Sequence, residues 1–333
     1  MANANPIRSD WTKEEIAEIY DLPLMELVYR AQTVHREHHD PLKVQKCTLL
    51  SIKTGGCPED CGYCPQAARY NTGVESEKLL PLPTVVQKAR EAKSNGSTRF
   101  CMGAAWREVK DGRQFDEVIE MVKAVRGEGL EVCCTLGMLS EEQAQRLKEA
   151  GLFAYNHNID TSEEYYGEVI GTRQYQDRIR TLENVRSAGI TMCTGGIVGM
   201  GETREDHIAF LQRLSFFDPH PESVPVNALV PVEGTPMGDR DLVDPLVLVR
   251  VIASARIIMP KSMVRMSAGR LTMTREAQML CFMAGANSIF AGDQLLTTPN
   301  PGEETDEKLF EAVGVEAMSG TDVPSHRHTE VGA

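Results

Sequence analysis

The chain has 333 residues and a formal net charge of −13 at pH 7, with 41% hydrophobic and 25% charged residues. This is the composition of a globular protein with enough apolar material for one large core. The negative net charge gives no indication of a surface that binds nucleic acid or an anionic membrane. Because the N-terminus is polar and no apolar run approaches the ~20 residues of a membrane span, we expect a cytoplasmic protein.

The predicted elements begin with a capping box, in which Thr12 is the N-cap and Glu15 reaches back to it. One or two amphipathic helices should follow to about His39, forming a helical extension over residues 1–40 that packs outside the main domain. From Lys46 onward, short apolar runs alternate with helical patterns. The predicted strands are Cys47–Lys53, Arg99–Gly103, Glu131–Leu136, Phe153–Asn156, Thr191–Val198, Ser223–Leu229, Met263–Met266 and Ser288–Phe290. The predicted helices between them are Pro83–Ser94, Phe115–Arg126, Glu141–Glu149, Tyr175–Ser187, Glu205–Phe217, Pro245–Ile258 and Met273–Met283.

Eight strands that alternate with helices favour an α/β fold, a parallel (β/α)8 TIM-type barrel, over an open doubly wound sheet. The alternation is common to both architectures, so periodicity alone does not establish closure. We expect the barrel domain to cover residues 41–318. The small, polar segment 319–333 is expected to be a disordered tail.

Nine cysteines without an export signal favour reduced thiols, buried or bound to metal, over a disulfide framework. The densest group is Cys57, Cys61 and Cys64, in a loop after the first predicted strand. Thiolates at this spacing can converge on one soft metal centre. A structural zinc site needs a fourth ligand, yet no histidine occurs between His39 and His157. A 4Fe–4S cluster on three thiolates would keep one iron open.

The Cys-x3-Cys-x2-Cys spacing, with Tyr63 before the last cysteine, resembles the radical S-adenosylmethionine superfamily. The resemblance implies that Cys57, Cys61 and Cys64 hold a 4Fe–4S cluster. Its open iron would be chelated by the amino and carboxylate groups of S-adenosylmethionine. Cleavage of that cofactor would give methionine and a 5′-deoxyadenosyl radical, which can break an unactivated C–H bond. Tyr63 is included in the implied cofactor site.

A glycine-rich segment, Gly195-Gly-Ile-Val-Gly-Met-Gly-Glu202, closes the predicted fifth strand. Glycines at the end of a barrel strand let a ligand approach the backbone, although a plain strand-to-helix turn explains the same residues equally well. The segment resembles the Gly-x-Ile-x-Gly-x-x-Glu motif of the same superfamily. The residues that the resemblance places beside the adenine are Gly195, Ile197, Gly199 and Glu202.

Three further cysteines, Cys101, Cys133 and Cys193, fall on the second, third and fifth predicted strands, and Arg265 falls on the seventh. Strand residues in a barrel alternate between the interior and the surrounding helices, so residues from distant strands can meet inside. Each cysteine taken alone is better explained as a small buried hydrophobic residue. Cys134 should face the opposite side from Cys133.

Taken together, the sequences around these four positions resemble the biotin synthase family. The resemblance implies a second, 2Fe–2S cluster whose bridging sulfide is the source of the sulfur of biotin. Its implied ligands are Cys101, Cys133, Cys193 and Arg265. Arginine stays protonated and is a poor metal ligand, so by residue chemistry alone Arg265, or Arg270 nearby, should pair with a carboxylate. Cys47 and Cys281 are expected to be buried thiols without a role.

The segment Tyr155-Asn-His-Asn-Ile-Asp160 ends the fourth predicted strand, where barrel active sites collect. Its side chains suit ribose hydroxyls and a cyclic urea, and equally a turn or a cap. The resemblance assigns Asn158 and Asp160 to the adenosyl ribose, and Asn158 with Asn227 to the ureido ring of dethiobiotin. It assigns Arg178 to the methionine carboxylate. The implied catalytic residues are Cys57, Cys61, Cys64, Asn158 and Asn227.

The resemblance implies a sulfurtransferase that joins sulfur to C9 and C6 of dethiobiotin, consuming two molecules of S-adenosylmethionine in the last step of biotin biosynthesis. It also implies a homodimer and an external electron donor of the flavodoxin type. A sister radical enzyme, such as a lipoyl synthase or a hydrogenase maturase, would share the first cluster. Lipoyl synthase should carry a further cysteine motif, yet no cysteine precedes Cys47. An iron–sulfur electron carrier would need neither the glycine-rich segment nor the paired asparagines.

Overall fold

A computed structural model describes residues 7–322 of the chain. Its strands are β1 (Lys43–Lys53), β2 (Arg99–Ala104), β3 (Glu131–Thr135), β4 (Ala154–Asn156), β5 (Thr191–Cys193), β6 (Gly196–Val198), β7 (Ser223–Ala228), β8 (Met263–Met266), β9 (Ser288–Ala291), β10 (Gln294–Leu295), β11 (Thr298–Pro299) and β12 (Glu316–Ala317). Its α-helices are α1 (Lys13–Tyr20), α2 (Leu24–His38), α3 (Leu82–Ser94), α4 (Arg113–Gly127), α5 (Glu141–Ala150), α6 (Tyr166–Val169), α7 (Tyr175–Ser187), α8 (Arg204–Ser215), α9 (Pro245–Ile258), α10 (Arg275–Met283) and α11 (Glu303–Val313), with a 3₁₀ turn at Arg270–Thr272.

The parallel strands close into a barrel in the order β1-β2-β3-β4-β5-β7-β8-β9, and β9 pairs with β1. The predicted TIM-type (β/α)8 barrel is therefore confirmed. The predicted fifth strand is interrupted, since β5 ends at Cys193 and β6 pairs only with β7. The break lies at Gly195, where a Cβ atom would sit 1.9 Å from the carbonyl oxygen of Pro225. Only glycine allows the two backbones to approach this closely.

The first strand is longer than predicted. It begins at Lys43 rather than Cys47, and its first two residues pair with the short strand β12. The additional residues are largely polar, so they carry no apolar signal of a strand.

The antiparallel hairpin formed by β10 and β11 was also not predicted.

Side-chain alternation divides the apolar residues into two layers. One large layer lies between the strands and the surrounding helices and includes Met102, Cys134 and Phe100. A smaller cluster fills the barrel interior, and its members are Cys47, Cys101, Cys133, Ala154, Cys193, Phe290 and Leu295. The barrel strands therefore bring four cysteines together in one enclosed volume.

The N-terminal helices pack outside the barrel, α1 against α8 and α2 against α9. The predicted capping box is present, with the Thr12 side chain accepting from the backbone of Glu15 and the Glu15 side chain accepting from the backbone of Thr12. Tyr20 at the end of α1 is hydrogen-bonded to His207 of α8 over 2.7 Å. Of the predicted tail, residues 323–333 lie outside the described residues. Within residues 7–322, no helix is both long enough and apolar enough to cross a membrane.

Candidate functional site

A cavity of about 320 Å³ lies within the barrel and at the carboxyl ends of its strands. This is where active sites of the fold are built, and the volume lies in the range of small-molecule sites. Both cysteine groups predicted from the sequence contribute to its wall. The predicted site residues that line it are Cys57, Cys61, Tyr63, Cys64, Cys101, Cys133, Asn158, Asp160, Arg178, Cys193, Ile197, Asn227 and Arg265.

The loop that carries the outer cysteines is held in one conformation by its backbone. The Cys57 amide donates to the carbonyl of Gln66 over 3.0 Å, and the Cys64 amide donates to the carbonyl of Cys61 over 3.0 Å. The carboxylate of Asp60 accepts from the backbone amides of Gly171 and Thr172 at 2.9 and 3.0 Å. The three thiols are therefore presented to the cavity by a loop that is closed by a backbone hydrogen bond and anchored through Asp60.

Burial raises the pKa of all three outer thiols. The pKa of Cys61 rises to about 12 and that of Cys64 to about 11, and the pKa of Cys57 is raised as well. Without a bound metal ion, groups with pKa values raised in this way are neutral thiols at pH 7. Metal ligation requires thiolates, so binding of a metal here releases protons and becomes tighter as the pH rises.

Asp160 connects the cysteine loop to the end of β4. Its backbone has φ of 67°, in the left-handed region that non-glycine residues seldom adopt. Its carboxylate accepts a 2.9 Å hydrogen bond from the hydroxyl of Tyr63 and forms a buried ion pair with Arg178. Burial alone would lower the pKa of Arg178, but the Asp160 carboxylate raises it well above its ordinary value. The guanidinium is therefore a permanent cation beside the outer cysteines.

The two predicted asparagines are held by backbone groups. The side-chain oxygen of Asn158 accepts from the Gly195 amide at 3.1 Å. The Asn227 side chain donates to the carbonyl of Gly196 at 2.9 Å and accepts from the Ala268 amide at 3.1 Å. Both amide groups thus have a fixed orientation at the cavity wall.

The glycine-rich segment contributes Ile197 to the cavity, whereas Gly195, Gly199 and Glu202 do not line it. The Glu202 carboxylate instead accepts from the Gly199 amide at 2.6 Å and contacts the His207 ring at 2.9 Å. Gly199 has φ of 100°, which favours glycine. Glu202 therefore holds the turn in place from behind the wall.

The inner thiols of Cys101, Cys133 and Cys193 lie together in the barrel interior and form an inner row. Interaction with Cys101 and Cys193 raises the pKa of Cys133 well above its ordinary value. Interaction with the Cys133 thiol lowers the pKa of Cys193 to about 5 against the effect of burial, helped by Arg265, Arg99 and the side chain of Asn156. Cys134 faces the helical layer, on the opposite side of the strand, as the alternation predicted.

Arg265 is fully buried but has no carboxylate partner among residues 7–322. Of the two arginines that residue chemistry offered as the partner of a carboxylate, it is Arg270 that forms the pair, with Asp306. The Arg265 guanidinium contacts the hydroxyl of Ser288 at 2.9 Å and the sulfur of Cys193 at 3.7 Å. A buried cation of this kind needs nearby anionic or soft donor atoms, and here the nearest are thiols.

Three features of the site were not predicted. Asn156 donates to the sulfur of Cys193 at 3.3 Å, and only its place in the motif of the fourth strand pointed to it. Residues 295–298 of the β10–β11 hairpin line the cavity, and the side chain of Leu296 lies against Gly103. Cys47 lies beside Arg265, with 3.3 Å between its sulfur and Nη2. This contact could have been expected only from the position of Cys47 on β1, where its side chain faces the barrel interior.

The two groups of thiols differ from the ligand set of a mononuclear metal site. Among residues 7–322, no three or more His, Cys, Asp or Glu side chains are arranged to hold a metal ion. A polynuclear cluster differs, because its thiolates are distributed over several iron atoms and need not converge on one point. The outer loop offers three thiols, and the inner row offers three thiols and a guanidinium. The thiols of both sets fit an iron–sulfur cluster by donor type, whereas a protonated guanidinium is an unusual donor to iron.

Comparison with known proteins assigns the family. The profile of the Radical SAM superfamily matches residues 51–214, and that of the Biotin and Thiamin Synthesis associated domain matches residues 225–316. Biotin synthase of Cytophaga hutchinsonii is 60% identical over 98% of this chain and 97% of its own length. Biotin synthase of Synechococcus elongatus is 61% identical over 94% of this chain and 98% of its own length.

Solved structures agree on the fold. Methylornithine synthase has a TM-score of 0.77 at 19% identity, covering 93% of this chain and 95% of its own. The hydrogenase maturase HydG also has a TM-score of 0.77, at 15% identity, covering 92% of this chain and 72% of its own. At these identities the likeness concerns the fold alone.

The barrel, its cysteine loop and the matching profile define a radical S-adenosylmethionine enzyme, a class that implies a 4Fe–4S cluster and S-adenosylmethionine. The near full-length identity to curated relatives is more specific: the chain belongs to the biotin synthase family, and its chemistry is sulfur insertion. The family and enzyme class predicted from the sequence are therefore confirmed.

Proposed function

We propose that this chain converts dethiobiotin to biotin by inserting sulfur between C9 and C6, with S-adenosylmethionine as the source of the radical. The observation that carries the proposal is that two separate groups of thiols line one cavity. The segment from Asn156 to Asp160 connects the two groups. Asp160 is hydrogen-bonded to Tyr63 of the outer loop, and Asn156 is hydrogen-bonded to Cys193 of the inner row. An electron carrier would need one cluster and no ligand cavity beside it.

The proposed ligands of the 4Fe–4S cluster are Cys57, Cys61 and Cys64. When bound, this cluster supplies the electron that cleaves S-adenosylmethionine and so generates the radical that removes hydrogen. The chain contributes the geometry: three thiols on a fixed loop leave one position open for the cofactor. Tyr63 anchors the loop to Asp160, in the segment that follows β4. The position of a cofactor bound at the loop would therefore be fixed relative to the barrel interior.

Asp160 and Arg178 are the proposed polar contacts of the cofactor. A carboxylate accepts hydrogen bonds from both hydroxyls of a ribose, and a guanidinium suits the carboxylate of the methionine part. Ile197 supplies an apolar surface for the adenine, with Gly195 and Gly199 letting the backbone approach it. Glu202 is proposed to act as a positioning residue, because it holds the Gly199 turn rather than lining the cavity.

Asn158 and Asn227 are proposed to bind the ureido ring of dethiobiotin. Each amide offers a donor and an acceptor, and a cyclic urea presents two N–H groups and one carbonyl. Both side chains are already oriented by backbone hydrogen bonds, so little side-chain freedom would be lost on binding. The β10–β11 hairpin covers the same cavity, which favours exclusion of water from a reactive radical.

The inner row is proposed to hold the 2Fe–2S cluster that donates sulfur, through Cys101, Cys133, Cys193 and Arg265. The depressed pKa of Cys193 keeps one thiolate available at pH 7, which is the form that binds iron. Because Cys101, Cys133 and Cys193 lie on the strands themselves, a cluster held by them would lie deeper in the barrel than the outer loop. Since both groups line one cavity, a substrate held in it would lie between the radical source and the sulfur donor.

Two partners complete the proposal, an external electron donor of the flavodoxin type and a second copy of this chain. The proposed compartment is the cytoplasm. All nine cysteines are without disulfides, which suits a reducing compartment that keeps thiols available for iron.

The direct test is an anaerobic turnover of the cluster-reconstituted protein with S-adenosylmethionine, a chemical reductant and dethiobiotin, read by mass spectrometry. We expect biotin together with 5′-deoxyadenosine from the unmodified chain. The triple variant Cys57→Ala, Cys61→Ala, Cys64→Ala should form neither product, whereas Cys281→Ser, a buried thiol away from the cavity, should form both. Formation of 5′-deoxyadenosine without biotin by the unmodified chain would favour a sister radical enzyme.

A further inference from the structure

Cys47 lies next to the proposed inner cluster although it belongs to none of the predicted ligand sets. It sits on β1 and is fully buried in the barrel interior with Cys101, Cys133 and Cys193. Its sulfur lies 3.3 Å from Nη2 of Arg265 and 3.8 Å from the hydroxyl of Ser288. It is thus a fourth thiol in the same enclosed volume.

Arg265 lies between two of these thiols. Its Nη1 is 3.7 Å from the sulfur of Cys193, and its Nη2 is 3.3 Å from the sulfur of Cys47. The hydroxyl of Ser288 fixes Nε of the same guanidinium at 2.9 Å. The two terminal nitrogens of one guanidinium therefore contact the sulfur atoms of Cys193 and Cys47.

The two other buried cysteines outside the proposed sites differ from Cys47. Cys134 packs in the apolar layer between strands and helices, and Cys281 lies on α10 in that same layer. Neither has a hydrogen bond to a side chain of the cavity. Cys47 alone of these three contacts a proposed ligand through a polar atom.

Iron prefers a thiolate to a guanidinium, which is protonated in almost any protein setting. On the basis of the proposed inner cluster, we propose that Cys47 is a reserve ligand, which binds the iron assigned to Arg265 whenever the guanidinium is removed or withdrawn. Ligation converts the Cys47 thiol to a thiolate with release of one proton, and no electron is transferred. The inner site then has four thiolates, a donor set typical of stable clusters. Arginine in that position keeps the cluster less tightly held, as suits a cluster that gives up sulfide.

The experiment uses the full chain with Cys57, Cys61 and Cys64 changed to alanine, so that only inner iron is counted. In this parent we compare Arg265→Ala, Cys47→Ser and the double variant after anaerobic reconstitution. The readouts are iron and sulfide per chain and the Mössbauer spectrum, which distinguishes equivalent from inequivalent iron atoms. Arg265→Met replaces Arg265→Ala if the smaller side chain prevents folding, as judged by circular dichroism.

We expect Arg265→Ala to retain the cluster with two equivalent iron atoms, because each would then have two thiolates. The double variant should show inequivalent iron atoms, or an affinity for iron that is roughly tenfold lower or worse. The matched control, Arg265→Ala with Cys134→Ser, should behave as Arg265→Ala alone.

Two results would overturn the inference while leaving the proposed cluster in place. One is a spectrum of Arg265→Ala that is unchanged by Cys47→Ser, and the other is complete loss of iron in Arg265→Ala itself. Absence of inner iron from the parent would instead overturn the proposed inner cluster, and the inference with it.

Discussion

The hydroxyl of Tyr63 donates a 2.9 Å hydrogen bond to the carboxylate of Asp160. Tyr63 belongs to the loop of the outer cysteines, and Asp160 ends the segment that follows β4. The carboxylate also pairs with Arg178, and all three side chains line the cavity. One buried carboxylate therefore fixes the position of the proposed cluster loop relative to the barrel.

Asp160→Asn should destabilise the fold and weaken cofactor binding. The substitution leaves Arg178 as a buried cation without its counter-ion, and breaking such a pair costs roughly 3–5 kcal/mol of unfolding free energy. Urea unfolding would measure the loss of stability. Calorimetry would measure the affinity for S-adenosylmethionine. The control is Asp21→Asn, whose ion pair with Arg204 is exposed to solvent and therefore contributes little to stability. Equal losses in the two variants would contradict the proposed role of Asp160.

Cys133→Ser should abolish the inner cluster, while Cys134→Ser should leave it intact. The two residues are adjacent in β3, but only Cys133 faces the thiol row inside the barrel. Iron and sulfide content after reconstitution measures the difference. The prediction fails if serine at position 134 removes as much inner iron as serine at position 133.

Tyr20→Phe should lower the unfolding free energy by about 1 kcal/mol, the typical contribution of one hydrogen bond. Its hydroxyl is the link from α1 to His207, whose ring in turn contacts Glu202 behind the glycine-rich turn. Tyr29→Phe is the matched control, because Tyr29 is 70% exposed on α2. Urea unfolding of both variants tests this, and similar small effects would show that the N-terminal helices are not coupled through Tyr20.

Stability should fall as the pH drops below about 6.5, in part because of His35. Burial, aided by the charges of Arg256 and His39, lowers the pKa of His35 to about 2. In the unfolded chain this group takes up a proton near its ordinary pKa of 6.5, so the unfolded state binds more protons than the folded state. Acid therefore favours unfolding, by at most about 1.4 kcal/mol per pH unit for one group.

His35→Leu should reduce that slope between pH 6.5 and pH 5, because leucine does not titrate. The ring Nδ1 has no hydrogen-bond partner to lose within residues 7–322. Urea midpoints measured at several pH values give the slope. Burial also lowers the pKa of His157 and His220, so some pH dependence should persist. An unaltered slope in the variant would show that His35 does not contribute.

The barrel was predictable because its strands and helices alternate in apolar pattern and length. The outer loop was predictable as well, since its three cysteines lie close together in the sequence. The inner row needed the resemblance, because Cys101, Cys133 and Cys193 are far apart in the chain and each alone looks like an ordinary core residue. Alternation did assign Cys134 correctly to the helical face.

The remaining features depend on contacts that no local pattern encodes. The partner of Arg270 is Asp306, 36 residues later, so which of Arg265 and Arg270 has a carboxylate could not be deduced locally. The hairpin at residues 294–299 has two-residue strands, too short for a periodic signal. Cys47 gains its importance only because β1 closes the barrel beside β9, which brings it to Arg265.

The most direct test of the central claim is the fate of the sulfur. The inner cluster is reconstituted with isotopically labelled sulfide, and the protein is freed of excess sulfide before a single anaerobic turnover with S-adenosylmethionine and dethiobiotin. Mass spectrometry then measures whether the sulfur atom of the biotin formed carries the isotopic label. The proposed function predicts labelled biotin from the unmodified chain and no biotin from Cys133→Ser, with 5′-deoxyadenosine formed by both. Unlabelled biotin from the labelled protein would contradict the assignment of the barrel interior as the sulfur donor.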